Sequence, residues 1–246
     1  IISYRLIDGK NILGELDKKT EKKTDYGDWH PWGGHRLWHA PEALPRSYVP
    51  DDSPVTIKQE GSNALRMTEK LEQQTGILKE MLVKMADTGT EVEITHYLTN
   101  KGAWNVELAP WSLTIVRPGG EAIIPNEPFI SHDDYLLSAR RTVLWHFTDL
   151  SDPRWIYGSK FLRLKNDANK EAPQKIGVEN EQGWAGFLQD GTLFIKRFLY
   201  DPTKTYTDRG CNHEVYTAGT FMEVESLGYL WNLEPGKTAT HIERWY

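Results

Sequence analysis

The sequence has little of several features that would place it in a familiar class of protein. Its 246 residues include a single cysteine, Cys211, so the chain cannot form an internal disulfide. Lys and Arg number 29 against 35 Asp and Glu, and this net charge of −6, without a basic block, argues against a nucleic-acid partner. No apolar run approaches the length of about 20 residues that crosses a bilayer. We therefore expect neither nucleic-acid binding nor a membrane span.

Signatures of several common catalytic sites are also missing. The sequence has no Gly-x-Ser-x-Gly elbow, and its Gly33-Gly34 pair lacks the spacing of a phosphate-binding loop. His35 and His39 lie four residues apart, but no His-Glu-x-x-His signature accompanies them. We expect no bound metal and no cofactor.

What the sequence does contain is a repeated pattern of short strands and turns. Apolar and polar residues alternate in TEVEITHYLTN at 90–100, while TLFIKRFLY at 192–200 and TATHIERWY at 238–246 have strand composition. GILKEMLVKM at 76–85 fits either a strand or a short helix. Gly- and Pro-containing turns separate these segments. The pattern predicts an all-β fold, a large antiparallel β-sandwich with few short helices, in a single domain covering residues 1–246.

The first residues bear on how the chain begins. The sequence lacks an initial methionine and opens with Ile1 to Ile7, a run of strand composition. We therefore expect some N-terminal residues to be missing from this chain. Since a signal peptide could be among them, the sequence leaves the cellular compartment open.

The most unusual stretch is WHPWGGHRLWHAPE at 29–42, which holds three tryptophans, three histidines, one arginine and two adjacent glycines. Flat indole faces suit the C–H faces of sugar rings, while arginine and histidine can bond the hydroxyl groups at the ring edge. The stretch predicts one wall of a carbohydrate cleft, with Trp38 or Trp32 stacking on the sugar. A tryptophan-rich packing corner with surface histidines is the alternative.

Carboxylates cluster near the C-terminal end. Glu223 and Glu225 lie two apart in FMEVESLG, so a strand points both to the same face. The preceding segment DRGCNHEVYT contains Asn212 and Glu214, and a hairpin would bring Glu214 close to the pair. Clustered carboxylates raise one another's pKa, which suits a general acid or base near neutrality. The alternative is an ordinary solvated strand face.

A proline interrupts another strand-like segment, NVELAPWSLTIV at 105–116. Proline within a strand indicates a sheet edge or a bulge, and such positions often adjoin a functional site. Trp111, the neighbour of Pro110, is therefore a candidate ligand-binding residue.

Four passages together resemble a known superfamily. They are KNILGE at 10–15, WGGHRLWHAPE at 32–42, EVEITHYLTNKG at 91–102 and FMEVESLG at 221–228. They resemble passages of the galactose mutarotase-like superfamily, which includes aldose 1-epimerases, and the motifs GGHRLW, APW, TDLSDPRW, GCN-x-EVYT and ERW are similar to one branch of it. The resemblance covers nearly the whole chain and implies the large antiparallel supersandwich of that superfamily.

The resemblance also implies an activity. It implies an aldose 1-epimerase-like isomerase in which Glu223 is the base that takes the proton from the anomeric hydroxyl. Mutarotases place a histidine, which protonates the ring oxygen, where this sequence has Ala109-Pro110-Trp111. We therefore expect His35 or His39 to supply the acid, and Arg36 to donate to a hydroxyl or to the ring oxygen.

The expected partner is a sugar or an oligosaccharide. Glu223 and His35 are the expected catalytic residues. The expected substrate-binding residues are Arg36, Trp38, His39, Trp111, Lys196, Asn212, Glu214 and Glu225. Two other functions stay open: a non-catalytic carbohydrate-binding domain on the same fold, and a lyase or hydrolase that uses the glutamates near the C-terminal end. A hydrolase needs two carboxylates across the bond, about 5–10 Å apart.

Overall fold

The computed structural model describes residues 1–16 and 21–246, which form an almost entirely antiparallel β structure. The strands are β1 (Lys22–Thr24), β2 (Gly27–Trp29), β3 (His35–Ala40), β4 (Thr56–Glu60), β5 (Ala64–Thr68), β6 (Ile77–Met85), β7 (Val92–Asn100), β8 (Val106–Val116), β9 (Glu121–Pro125), β10 (Thr142–Leu144), β11 (Trp155–Tyr157), β12 (Phe161–Lys165), β13 (Gln174–Val178), β14 (Trp184–Gln189), β15 (Thr192–Phe198), β16 (His213–Ala218), β17 (Phe221–Leu227), β18 (Trp231–Leu233) and β19 (Thr238–Trp245). Within the described ranges the only helix is the 3₁₀ segment Arg46–Tyr48, which is far too short to cross a bilayer. The predicted all-β class is confirmed.

Two large sheets form the sandwich. The seven-stranded sheet has the order β10-β13-β16-β17-β8-β18, and β3 also pairs with β8. The ten-stranded sheet has the order β11-β12-β9-β14-β15-β19-β7-β6-β5-β4. The main hydrophobic core draws on both sheets, for example on Ile94 and Leu98 of β7 and on Val215 and Val224 of the β16–β17 hairpin. The predicted antiparallel sandwich is therefore confirmed.

A second, smaller hydrophobic cluster occupies the outer face of the seven-stranded sheet. Its buried members are Trp38, Ala40, Ala109, Trp111, Leu113 and Leu227. They occupy alternate positions of β3, β8 and β17, because successive residues of a strand point to opposite faces. Two of the sequence's tryptophans, Trp38 and Trp111, thus pack away from the main core, on the outer face of this sheet.

Most of the predicted strands are confirmed. The structure also decides one ambiguous segment and corrects two other expectations. The ambiguous segment at 76–85 contains the nine-residue strand β6, which is paired on both edges. The Ile1 to Ile7 run is not a strand, although the backbone of Ile1 exchanges hydrogen bonds with that of His35. Pro110 lies inside β8 rather than at a sheet edge. It is tolerated there because it sits between the stretches of β8 that pair with β17 and with β18.

Candidate active site

A cavity of about 710 Å³ opens on the outer face of the seven-stranded sheet. Strands β3, β8, β13, β16 and β17 provide its floor, and strands β1 and β2 with the loops that follow β3 and β10 contribute to its walls. The lining is rich in aromatic side chains: Trp29, Trp38, Tyr48, Trp111, Trp145, Phe147, Tyr216 and Phe221. Its volume lies in the range of small-molecule sites, and its aromatic lining suits a ligand with flat apolar faces.

Glu223 lies on the floor of this cavity, within a row of paired residues. Lys175 on β13 pairs with Tyr216 on β16, and Tyr216 pairs with Glu223 on β17. Paired residues of an antiparallel sheet share a face, and all three line the cavity. Glu223 is half-buried, and loss of solvent together with the Glu225 carboxylate raises its pKa well above the usual value. Such a carboxyl group binds its proton more tightly than an ordinary glutamate does, which is typical of candidate acids and bases.

Lys175 is the centre of a buried ion-pair group at the cavity floor. Its Nζ atom lies 2.7 Å from Oε2 of Glu214 and 3.4 Å from Oε2 of Glu225. Trp111 Nε1 donates a 2.7 Å hydrogen bond to the same oxygen of Glu225. The ammonium also lies 4.7 Å and 5.1 Å from the ring centroids of Trp145 and Trp111. These contacts fix the position of the lysine side chain.

The two carboxyl groups of this ion-pair group are enclosed by protein. Glu214 faces Glu225 across the β16–β17 hairpin, so the expected hairpin does bring them together. Both are fully buried and neither lines the cavity. Desolvation, reinforced by Glu225 and opposed by Lys175, raises the pKa of Glu214 to about 8. Glu214 therefore keeps its proton at neutral pH, and the group acts on a ligand only through the residues that it positions.

A tightly packed aromatic wall borders the cavity beside β3. Trp38 contacts Trp29, Tyr48 and Trp111 edge-on, with ring centroids 5.4, 5.2 and 5.3 Å apart. The Tyr48 hydroxyl donates a hydrogen bond to Glu42, and burial followed by this contact raises the pKa of the phenol. Mutual packing of this kind holds the rings in fixed orientations.

The neighbouring residue Arg36 shares this face but is already engaged. Its guanidinium donates two hydrogen bonds to Asp51, and both side chains are largely buried. The guanidinium carbon also lies 4.8 Å from the ring centroid of Trp29. Arg36 is not among the residues that line the cavity, so its donors are directed at the protein rather than at a ligand.

Strand β3 divides the residues predicted from the tryptophan-rich stretch into two sets. Its side chains alternate, so Trp38 faces outward while His35 and His39 face the interior between the sheets. Lys196, on β15 of the opposite sheet, points into the same interior and is fully buried. The structure therefore does not bring His35, His39 or Lys196 to the cavity. To protonate a sugar in the cavity, the His35 side chain would have to lie on the outer face of β3, and it lies on the inner face.

His35 belongs to a hydrogen-bonded chain whose direction can be deduced. His96 Nδ1 faces the carbonyl oxygen of His241 at 3.1 Å, so this nitrogen must carry a proton and donate. Burial lowers the pKa of both His35 and His96, which leaves the rings neutral. His96 Nε2 then accepts from His35 Nε2, 2.7 Å away, and His35 Nδ1 accepts from the Thr114 hydroxyl at 2.8 Å. Every ring nitrogen of the two histidines is satisfied within the protein.

Glu243 anchors the same interior network. Lys196 Nζ lies 2.9 Å from its Oε1 atom, Ser226 donates to that atom over 2.5 Å, and Trp245 Nε1 donates to Oε2 over 3.0 Å. Burial alone would raise the pKa of Glu243, but the ammonium of Lys196 holds it well below the usual value. Ligand atoms of His35, His96 and Glu243 lie within 4.8 Å of one another. Because Lys196 already supplies the positive charge, this cluster fits a hydrogen-bonded core better than a metal centre.

The remaining predicted residues have structural partners. His39 Nε2 lies 3.1 Å from Oε2 of Glu72, whose other oxygen is 2.8 Å from Lys79 Nζ. Asn212 accepts a 2.7 Å hydrogen bond from the backbone N–H of Asn180 and donates to its carbonyl oxygen. Both residues therefore connect segments of the sandwich and lie outside the cavity lining.

The sequence-based reasoning missed several cavity residues. Lys175 is the only charged residue of strand β13, and a single charged residue in a strand gives only a weak sequence signal. Trp145 and Phe147 lie in the loop after β10, and their spacing of two residues was the clearest sign available in the sequence. Tyr216 carries no sequence signal of its own, because only the pairing of β16 with β17 brings it next to Glu223. Tyr48 lies in the 3₁₀ segment after β3, and the fold of that loop places it at the cavity.

Comparison with known proteins identifies the fold. No protein-family model matches the chain, and no curated protein matches it in sequence. Among solved structures, the candidate mutarotase YeaD from Salmonella typhimurium matches with a TM-score of 0.59 and 11% identity, over 99% of this chain and 82% of that one. A TPR-domain containing protein from Parabacteroides distasonis matches with a TM-score of 0.60 and 14% identity, over 96% of this chain and 41% of that one.

Proposed function

We infer, from the galactose mutarotase-like fold and the aromatic cavity around Glu223, that this chain is a single carbohydrate-binding domain with aldose 1-epimerase-like activity. The observation that supports this most strongly is the placement of Glu223. Its carboxyl group is half-buried in the cavity floor, has a raised pKa and is surrounded by aromatic rings. A sugar resting on those rings presents its hydroxyl groups to the carboxylate.

In the proposed reaction, ionised Glu223 accepts the proton of the anomeric hydroxyl. The C1–O5 bond then breaks, O5 receives a proton, and the open-chain aldehyde rotates before the ring closes on its other face. Since His35 lies on the interior face of β3, the proton donor must come from the cavity lining. Tyr48 lines the cavity and carries an O–H proton, whereas the Lys175 ammonium is held by Glu214 and Glu225. We therefore assign the donation to Tyr48, which regains the proton when the ring closes.

The Glu223→Gln variant tests this proposal. Glutamine keeps the shape of the side chain but cannot accept the proton, so we expect the rate of anomer interconversion to fall at least about 100-fold. Polarimetry on freshly dissolved single anomers of several aldoses measures the rate. Glu107→Gln, an exposed carboxylate outside the cavity on β8, serves as the matched control. Full activity in a folded Glu223→Gln protein would refute the role of Glu223.

A non-catalytic binding domain is the second candidate, and one observation favours it. The expected acid His35 is fully enclosed between the sheets and hydrogen-bonded to His96 and Thr114. A protein of this kind would bind the same sugars in the cavity and leave the rate of anomer interconversion unchanged. Binding without rate enhancement in the wild-type protein would select this candidate.

The hydrolase and lyase alternative receives less support from the geometry. It requires a second carboxyl group opposite Glu223 that can reach the bond to be cleaved. Glu214 and Glu225 are fully buried and engaged with Lys175, so neither can contact a glycosidic oxygen.

A further inference from the structure

We propose that the cavity binds a neutral oligosaccharide of two or more linked rings, which contacts aromatic side chains on both sides of the strand that carries Glu223. This proposal rests on the proposed function and specifies the ligand of the same site. It is carried by the width of the cavity floor, by two separate aromatic walls and by the charges of the lining.

The floor is wider than one sugar ring. Trp38, Trp111, Glu223, Tyr216 and Lys175 lie on the successive strands β3, β8, β17, β16 and β13, and all line the cavity. Neighbouring strands lie about 4.8 Å apart, so these five strands span about 19 Å. A single pyranose ring is no wider than one indole and covers only part of that distance.

Aromatic side chains form two walls, one on each side of Glu223. The first wall consists of the mutually packed rings Trp29, Trp38, Tyr48 and Trp111. The second wall consists of Tyr216 with Phe147 and Phe221 packed edge-on against it, at centroid distances of 6.3 and 5.6 Å. Strand β17, which carries Glu223, runs between the strands of the first wall and strand β16, which carries Tyr216.

The second wall exposes apolar surface that a ligand ring would cover. Phe147 is 42% exposed although it borders the cavity, and Tyr216 and Phe221 are half-buried. A monosaccharide that stacks on the first wall and reaches Glu223 leaves these rings in water. A second sugar ring, joined to the first, would bury them and gain binding free energy.

The charges of the described lining favour a neutral ligand. Four carboxylates face the cavity or its rim, against two lysines. Lys175 is held by Glu214 and Glu225, and Lys22 Nζ lies 3.6 Å from the ring centroid of Tyr48. Among the lining residues that the structure describes, phosphorylated or acidic sugars would therefore meet more negative than positive charge.

Calorimetric titration tests the proposal. The probes are glucose, galactose, mannose and xylose, each with its β-1,4-linked disaccharide and trisaccharide. The proteins are the wild type, Phe147→Ala in the second wall, and Phe161→Ala as a matched control. Phe161 is 39% exposed and lies on β12, outside the cavity. Both changes remove a similarly exposed ring, so any difference reflects its position.

We expect at least one series in which the disaccharide binds about tenfold more tightly than the monosaccharide. Phe147→Ala should abolish that gain, whereas Phe161→Ala should leave it intact. Equal affinity for all lengths, or a gain that survives Phe147→Ala, would overturn the proposal while leaving the proposed function intact. Failure of every sugar to bind would instead refute the proposed function and this proposal with it.

Discussion

At the residue scale, the buried group of Glu214, Lys175 and Glu225 determines the electrostatics beneath the cavity. One ammonium is shared by two fully buried carboxyl groups, so only one carboxylate can be neutralised by it. Desolvation leaves the other, Glu214, protonated, with its pKa raised to about 8. Loss of solvent, and after it the Glu225 carboxylate two residues away on the same face, raises the pKa of Glu223. The behaviour of the proposed base therefore depends on its buried neighbours.

This arrangement predicts a pH dependence of stability. The pKa of Glu214 is higher in the folded chain than in the unfolded chain, so the folded state binds more protons between about pH 4.5 and 8. Stability should therefore fall as the pH rises through that interval, by a few kcal/mol in total, since one pKa unit corresponds to about 1.4 kcal/mol. Urea unfolding at several pH values measures the effect.

The Glu214→Gln variant isolates the responsible residue. Glutamine resembles the protonated carboxyl group and does not titrate, so its stability should vary less between pH 5 and 8 than that of the wild type. Identical pH profiles for the two proteins would show that Glu214 is ionised in the folded state.

At the scale of single elements, the alternation of strand side chains explains what the sequence could predict and what it could not. For β17, the alternation predicts that Glu223 and Glu225 share a face of the sheet, and they do. Glu214 lies directly across from Glu225 on the neighbouring strand β16. For the segment that forms β3, the sequence pattern predicts no strand. The histidines and the tryptophan of that segment are therefore assigned to the same wall of the carbohydrate cleft. Once β3 is known to be a strand, His35 and Trp38 must point to opposite faces.

The interior pair of Glu243 on β19 and Lys196 on β15 should contribute to stability as a unit. Removing either partner leaves a buried charge unpaired, so Glu243→Leu and Lys196→Leu should each destabilise the fold by about 3–5 kcal/mol. The double variant should be much less destabilised than the sum of the two single changes, because no unpaired charge is left. Chemical denaturation of all four proteins gives the coupling free energy.

Strand β19 also carries an exposed ion pair, which serves as a control for the interior pair. Arg244 forms a 2.7 Å ion pair with Glu93, and both side chains are substantially exposed. Glu93→Gln should change stability by less than about 1 kcal/mol, because solvent screens such a pair. Single changes at Glu243 or Lys196 no larger than this control would contradict the proposed importance of the interior pair.

At the scale of the whole molecule, the sandwich keeps its main hydrophobic core and its cavity on opposite faces of the seven-stranded sheet. The large core between the sheets holds the fold together, while the outer face of the seven-stranded sheet carries the cavity. The two-residue period predicted the all-β class, because it is a local property of each strand. The partnership of Lys175, Tyr216 and Glu223 could not be predicted, because it depends on which strands pair.

A crystal structure of the protein soaked with the tightest-binding sugar of the titration series tests the central claim most directly. We predict a sugar ring in the 710 Å³ cavity, in contact with the aromatic lining, and a ligand hydroxyl about 2.6–3.2 Å from the Glu223 carboxyl group. A sugar bound on the ten-stranded sheet, or one in the cavity without any hydrogen bond to Glu223, would contradict the account.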